Sequence, residues 1–363
     1  MALSKIQSVM SPNSGSMRKN LIMNGNFIVN QRVPGGTNTG VNTDNYHMHD
    51  RWKLFNNQAT FRIDDNIIGV NDAPYTHGHR HTHKLSVTTK QDSPASGDRM
   101  KLYQGIEGKN LQHLQYGTSE AKSVTVSFWV YATQTGTNNV LLYANPSGGS
   151  ARQQGKQYTI NQSNTWEFKQ LTFTGDTLST QIIPNDETMG LSLQFMLGGG
   201  TSYTSGTLSN TWTAANSNNE MPNQTNHAGA DGNQFLLTGI QMEVGDAATD
   251  FEHENFSDEL RRCKRYFQYV HILQDYNDRQ TSGGGALPIS VMYRGYQYDE
   301  SPRITPQFTI TTTLQYYSTS SGTNFPSGTG ITDRLKQGLI ITQTGFNNAR
   351  GYFVGTISVF ADF

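Results

Sequence analysis

The sequence predicts an all-β protein: a sandwich or barrel over residues 20–254, then one helix and a smaller β-rich domain over 255–363. Three observations predict it. From Asn20 onward, short β-prone runs recur between Gly/Asn/Asp/Ser clusters, the pattern of a sandwich or barrel. In SVTVSFWVYA, Val124, Val126, Phe128 and Val130 alternate with Ser123, Thr125, Ser127, Trp129 and Tyr131. One face of that strand therefore packs inward and the other presents aromatic rings. Near residue 255 the apolar period changes from two to that of a helix.

Residues 1–19 are Ser- and Met-rich without periodicity and read as an extended N-terminal arm. The β-prone runs that follow include NLIMNGNFIVNQ, DRWKLF, KLSVTT, NVLLYA, TWEFKQLTFTG, GLSLQFML and NQFLLTGIQMEVG. Between the last two lies the polar segment 198–233, and a loop of that length inside a compact domain is a functional excursion or a mobile insert. Its Trp212 either folds back to plug the loop or serves as a ligand platform.

In NFSDELRRCKRYFQYV, Leu260, Cys263, Phe267 and Val270 fall at helical spacing, which predicts a helix of about four turns. Ser257 is the expected N-cap, and Asp258 and Glu259 stand in the first turn, where the helix dipole favours carboxylates. Arg262 and Arg265, off the apolar stripe, are either solvated or part of an ion pair across domains or subunits. The runs LPISVMYRG, QFTITTTLQYY, GLIITQTG and GYFVGTISVFADF then supply the C-terminal strands. No repeat of solenoid or β-helix length is visible.

Composition excludes several partners. Apolar residues make up 34% and charged residues 15% of the chain, with 36 glycines, so polarity is carried mainly by Thr, Ser, Asn and Gln. With 27 basic and 28 acidic groups, the net charge of −1 offers no attraction to nucleic acid or anionic membrane. Cys263 stands alone, which rules out an intrachain disulfide and fits assembly in a reducing cytoplasm. The N-terminus lacks the apolar core of a secretory signal, and no apolar span reaches the ~18 residues of a membrane helix.

No catalytic constellation stands out. Gly-x-Ser-x-Gly and Walker-type loops are absent. Asp64-Asp65, Asp186-Glu187 and Asp299-Glu300 are adjacent, so on strands their side chains diverge to opposite faces and read as solvated turn carboxylates. A non-enzyme is expected.

The stretch YTHGHRHTHK sets His77, His79, His81 and His83 two apart. On one strand they would share a face at about 6.6 Å spacing, so a pair could share an ion but all four could not. His-x-His pairs from three chains on an axis would give an octahedral transition-metal site. The alternative is a set of neutral imidazoles on a core or subunit face, since Leu85 and Val87 share their parity. Gly78 is where a bulge would break that parity.

Three stretches carry a family resemblance. NLIMNGNFIVNQR with YHMHDRW resembles the opening common in tail-fibre and virion proteins of bacteriophages, particularly phages of marine bacteria and cyanobacteria. LTGIQMEVGDAATDFEHENFSDELRRCKRYF resembles their domain junction, and GYFVGTISVFADF their closing strand. His47 and His49 beside Asp50 depart from the pattern. The resemblance implies a jelly-roll β-sandwich similar to carbohydrate-binding modules over 20–254. It also implies a structural Ca²⁺ held by Asn24, Asn26 and Glu243, with Asp50 as a further ligand; the other reading is that these residues cap strand ends.

The expectation is therefore a non-enzymatic virion structural protein, a homo-oligomer and specifically a trimer. It would be joined to other virion proteins by its N-terminal arm and bind host-surface glycan through Trp129, Tyr131 or Trp212. A capsid decoration or head fibre that stabilises the particle is the alternative within that class, and a tailspike polysaccharide depolymerase the alternative outside it.

Overall fold

The structure is a computed structural model that describes residues 18–145, 150–276, 292–304, 306–310, 315–318, 330–335, 338–343 and 351–362. The arm expected at 1–19 lies, up to residue 17, outside the described residues. In chain order the first elements are β1 (Thr37–Val41), β2 (Lys53–Asn56), β3 (Thr60–Ile67), the single turn α1 (Ala73–Thr76), β4 (His81–Thr89) and β5 (Arg99–Glu107). Then follow β6 (Val124–Ala132), β7 (Gly136–Ala144), β8 (Arg152–Ile160), β9 (Glu167–Phe173), β10 (Met189–Gly199), the turn α2 (Thr201–Thr204), β11 (Thr213–Ala214) and β12 (Gln234–Val244). They form two antiparallel sheets, β1-β3-β4-β12-β6-β9 and β11-β8-β7-β10-β5-β2. This is the jelly-roll sandwich.

Its core lies between the sheets. Val124, Val126, Phe128 and Val130 are fully buried there, as the alternation of β6 predicts. Trp52 is buried with them and its indole N–H donates to the Asn24 carbonyl at 3.0 Å.

Beyond the sandwich come α3 (Phe256–Lys264), β13 (Phe267–Tyr276), β14 (Met292–Gln297), β15 (Gln307–Ile310), β16 (Gln315–Ser318), β17 (Gly330–Leu335), β18 (Gly338–Gln343) and β19 (Gly351–Phe360). β19 pairs with β13, β15 and β16, and β18 lies between β14 and β17.

Four expectations are corrected. NLIMNGNFIVNQ is not a strand: Asn24 and Phe27 take φ of 52° and 55°. Its buried backbone is satisfied by side chains in place of a ladder, with Asn20 Oδ1 accepting from the N–H of Ile22 and Met242, and Asn24 Oδ1 from Val29 N–H. The helix is nine residues long, shorter than about four turns, because the chain enters β13 at Phe267. Asn255, not Ser257, is its N-cap, and Glu259 is buried beside Cys263, accepting a hydrogen bond from Asn24 N–H. The histidine run is not one strand, as described below.

The segment 198–233, expected as a functional excursion or a mobile insert, packs back on the second sheet. Met221 packs with Leu141 and Met196 on the outer face of the second sheet, and Asn139 donates to the Pro222 carbonyl. Arg265 supplies the ion pair left open by the sequence: its Nε and Nη2 sit 3.2 and 2.9 Å from the two oxygens of buried Glu107, ending β5. Tyr266 donates its hydroxyl to the same carboxylate at 2.6 Å, so α3 is tied to the sandwich.

Candidate functional site

The outer face of β6 carries Thr125, Ser127, Trp129 and Tyr131, opposite to the core-facing valines. Beside it, edge strand β9 sets Phe168 directly across from Trp129 and Gln170 across from Ser127. The Trp129 and Phe168 rings stand 5.3 Å apart. One step along the same face, Tyr131 and Trp166 form a second ring pair at 5.6 Å. Phe168 is 49% exposed, so its ring is open to solvent beside Trp129.

The chain after β12 folds back over this face. Thr125 Oγ1 donates to the Gly245 carbonyl and Thr172 Oγ1 to that of Asp246, so the tail crosses β6 and β9 there. Gln241 in β12 then holds the tail, donating to the carbonyls of Thr249 and Asp250 and accepting from Glu252 N–H at 2.8 Å. A cavity of about 750 Å³ remains between the tail, the strands and the α1 loop, within the usual size of small-ligand sites.

Its walls combine aromatic rings with polar groups. Trp129, Phe168 and Phe251 supply rings, and Ser127, Gln170 and Thr249 supply neutral hydrogen-bonding groups. His77, His79 and His253 complete it, with Asp250 the one carboxylate among its described lining residues and no Lys or Arg.

The histidine stretch is divided by Gly78, whose φ of +87° ends the turn that contains His77. The four imidazoles consequently enter separate surroundings. His77 packs on Trp129 at 5.2 Å. His79 is buried; its Nδ1 lies 2.7 Å from Asn26 Oδ1 and its ring 4.9 Å from Phe251. Burial, with His253 and His77 nearby, lowers its pKa to about 3, so it is a neutral ring. Since Asn26 offers an oxygen, Nδ1 carries the proton and Nε2 is left as an acceptor.

His81 and His83 go elsewhere. His81 Nδ1 lies 3.0 Å from Asp65 Oδ1, a hydrogen bond that raises the histidine pKa. Burial alone would raise the Asp65 carboxyl, but His49 and His81 together hold it below the usual carboxylate range. His83 turns into the core with Leu85 and Val87, as its parity predicts, and its Nδ1 meets Nδ1 of buried His49 at 2.8 Å. One of these two rings must donate and the other accept, so they cannot both be protonated, and burial holds both pKa values down.

The ligand set for Ca²⁺ does not fit. Asn24 spends its amide on Val29 and on the Asp50 carbonyl. Asn26 faces His79. Asp50 accepts from Gln31 N–H and Nε2, and burial pushes its carboxyl up to about 6. Glu243 accepts from Gln241, from Thr249 N–H and from the Thr249 hydroxyl, with the Lys19 ammonium at 3.9 Å. These four serve as hydrogen-bonding cross-links: Asn24 and Asp50 tie down the Val29–Gln31 segment, Asn26 meets His79 and Glu243 holds Thr249, so their oxygens are engaged with separate partners and do not converge on one point. Among the described residues no group of three or more His, Cys, Asp or Glu is placed to hold a metal ion.

Of the three rings expected to bind glycan, the structure brings Trp129 into the cavity wall and Tyr131 into the adjoining pair. Trp212 is 8% exposed, packs edge-on against Tyr116 and donates its N–H to the Thr174 carbonyl at 2.6 Å. It plugs its own loop. Phe168, Trp166 and Phe251 were not singled out from the sequence, although the alternation in TWEFKQLTF places Trp166 and Phe168 on one face.

No family model matches this chain, and no curated protein matches it. Solved structures do. One described as "CBM4 structure and function" shares 14% identity over 61% of this chain and 98% of its own, with a TM-score of 0.29. A putative sugar binding protein from Bacteroides thetaiotaomicron shares 11% over 62% of this chain and 100% of its own, at 0.33. The enzymatically active domain of tailspike protein 4 of Bacteriophage CBA120 shares 12% over 62% of this chain and 21% of its own, at 0.29. This chain thus spans about a fifth of that tailspike chain's length. At these TM-scores no residue of the cavity is assigned by superposition.

Proposed function

We propose that this chain is a non-catalytic glycan-binding protein of a bacteriophage particle, contacting its ligand in the cavity over β6 and β9. The observation that carries the binding reading is the lining: paired rings at Trp129 and Phe168 beside neutral hydroxyl and amide groups. Sugar faces stack on such rings, and sugar hydroxyls are met by uncharged donors and acceptors without a large desolvation cost. Asp250 is the single carboxylate among the described lining residues, whereas glycoside hydrolysis ordinarily takes two flanking the bond. The particle assignment, with a trimer anchored through residues 1–19, rests on the three sequence stretches that resemble phage fibre and virion proteins.

The test is a glycan array read with the whole chain and with Trp129→Ala. Binding that falls on the order of tenfold or more in the variant, with an unchanged melting curve, is the expected result. Equal binding by both proteins would remove the cavity from the reading.

A further inference from the structure

We infer that the site accepts the end of a glycan chain and not an internal stretch of one. This rests on the glycan reading above and adds the form in which the ligand is presented.

The cavity floor runs across three strands, from Gly239 in β12 over Ser127 and Trp129 in β6 to Gln170 and Phe168 in β9, a span of about 10 Å for two interstrand spacings. Its two ends differ. At β12 it is shut: His253 Nε2 reaches the His77 carbonyl at 2.9 Å, joining the tail to the α1 loop, and Phe251 packs edge-on against His79 and His253, whose own rings meet at a tilt, behind that bond. The tail segment at Gly245 and Asp246 closes one flank, and His77 against Trp129 closes the other. At β9 no described residue covers the floor, where Phe168 and Gln170 are exposed. β9 is an edge strand, so no further strand of the sheet extends past the opening.

A polymer crossing such a site would have to pass through the His253–His77 junction. A chain terminus meets no such barrier. Its last ring enters between Trp129 and the tail, while the following rings leave over β9 past Phe168, where Trp166, just before β9 and packed on Tyr131, offers a second platform. The site has the length for very few rings, and its described residues leave it open at β9.

Stoichiometry measured by calorimetry on the whole chain tests this. The probes are laminarihexaose with laminarin, xylohexaose with soluble xylan, and maltohexaose with amylose and the endless ring cyclomaltohexaose. For the series that binds, the expected result is one protein per hexaose and one per polymer chain, whatever its length; the cyclic glucan gives no heat. His253→Ala, at an exposed position, unlocks the shut end, and the number of proteins per polymer chain is expected to rise. Trp166→Ala is expected to weaken hexaose about three- to tenfold and leave the disaccharide of the same series (laminaribiose, xylobiose or maltose) unchanged. Protein bound to the unaltered chain in proportion to polymer length, or binding of the cyclic glucan, overturns chain-end capture while leaving glycan binding intact. Absence of heat with every probe and of signal on the array overturns both.

Discussion

At the scale of single residues, the two tryptophans set apart by the sequence have opposite duties. Trp129 faces the cavity and contributes little to the core, whereas Trp212 is buried and bonded to the Thr174 carbonyl. Trp212→Ala is therefore expected to cost about 3 kcal/mol, the low end for removing a buried aromatic, with glycan binding per folded molecule unchanged. Thermal denaturation checks it, and a loss under ~1 kcal/mol would show that the loop closes without its plug. The motif residues Asp50, Arg51 and Trp52 also act locally. Asp50 ties down Gln31, Arg51 donates to the Gly105 carbonyl and lies 3.4 Å over the Tyr266 ring, and Trp52 fills the core.

At the scale of elements, the shut end of the cavity depends on a bulge in β12. The register of β12 against β6 slips between Thr238 and Gln241, and Gly239 there has φ of +60°. A Cβ at that position would stand 2.6 Å from the His79 ring. Gly239→Ala is expected to destabilise the fold by about 1–3 kcal/mol and displace the His79 ring. A chemical-shift change at His79 Cε1–H reports the displacement, and an unmoved resonance with full stability would refute it. The docking of α3 is testable separately. Arg265→Met leaves Glu107, which is 0% exposed, with Tyr266 and Lys109 alone. The cost expected in urea is about 2 kcal/mol, less than for a fully buried pair because Arg265 is 30% open to solvent. Adding Glu107→Gln should recover most of it, and no recovery would mean that packing, not charge, holds the helix.

At the scale of the whole molecule, buried imidazoles make the fold acid-sensitive. Burial holds His49, His83, His79 and His227 below the ordinary histidine value of 6.5, the last two at about 3. Each is neutral when folded and free to protonate when unfolded, so below pH 6.5 the unfolded chain binds more protons. Stability then falls as pH drops, by about 1.4 kcal/mol per pH unit for each group inside its window. Asp65, held low by its histidines, adds to the loss at more acid pH. His81, raised by Asp65, and Asp50, raised to about 6 by burial, act in the opposite sense, since their contributions disappear as pH rises. The four histidines outweigh these two. Melting temperature is expected to decline continuously from pH 7 to pH 4; a flat profile over that range would contradict the buried neutral rings.

Much of this was legible in the order of residues. Alternation along β6 determined which side chains enter the core and which face out, because a strand has a period of two whatever surrounds it. The change of period near residue 255 marked the helix, and the parity of His83 with Leu85 and Val87 placed that imidazole inside. What the sequence could not reveal arises where distant segments meet. The turn at Asn24 is built by side-chain amides and not by a ladder, and α3 ends where β13 claims the chain. The cavity exists because a tail held by Gln241 in β12 crosses β6 and β9 and joins the histidine loop through His253. Strand composition decides faces, since that depends only on neighbours in the chain. Which face is covered, by what, and where an opening is left depends on contacts between residues more than a hundred positions apart, and only the folded chain brings those together.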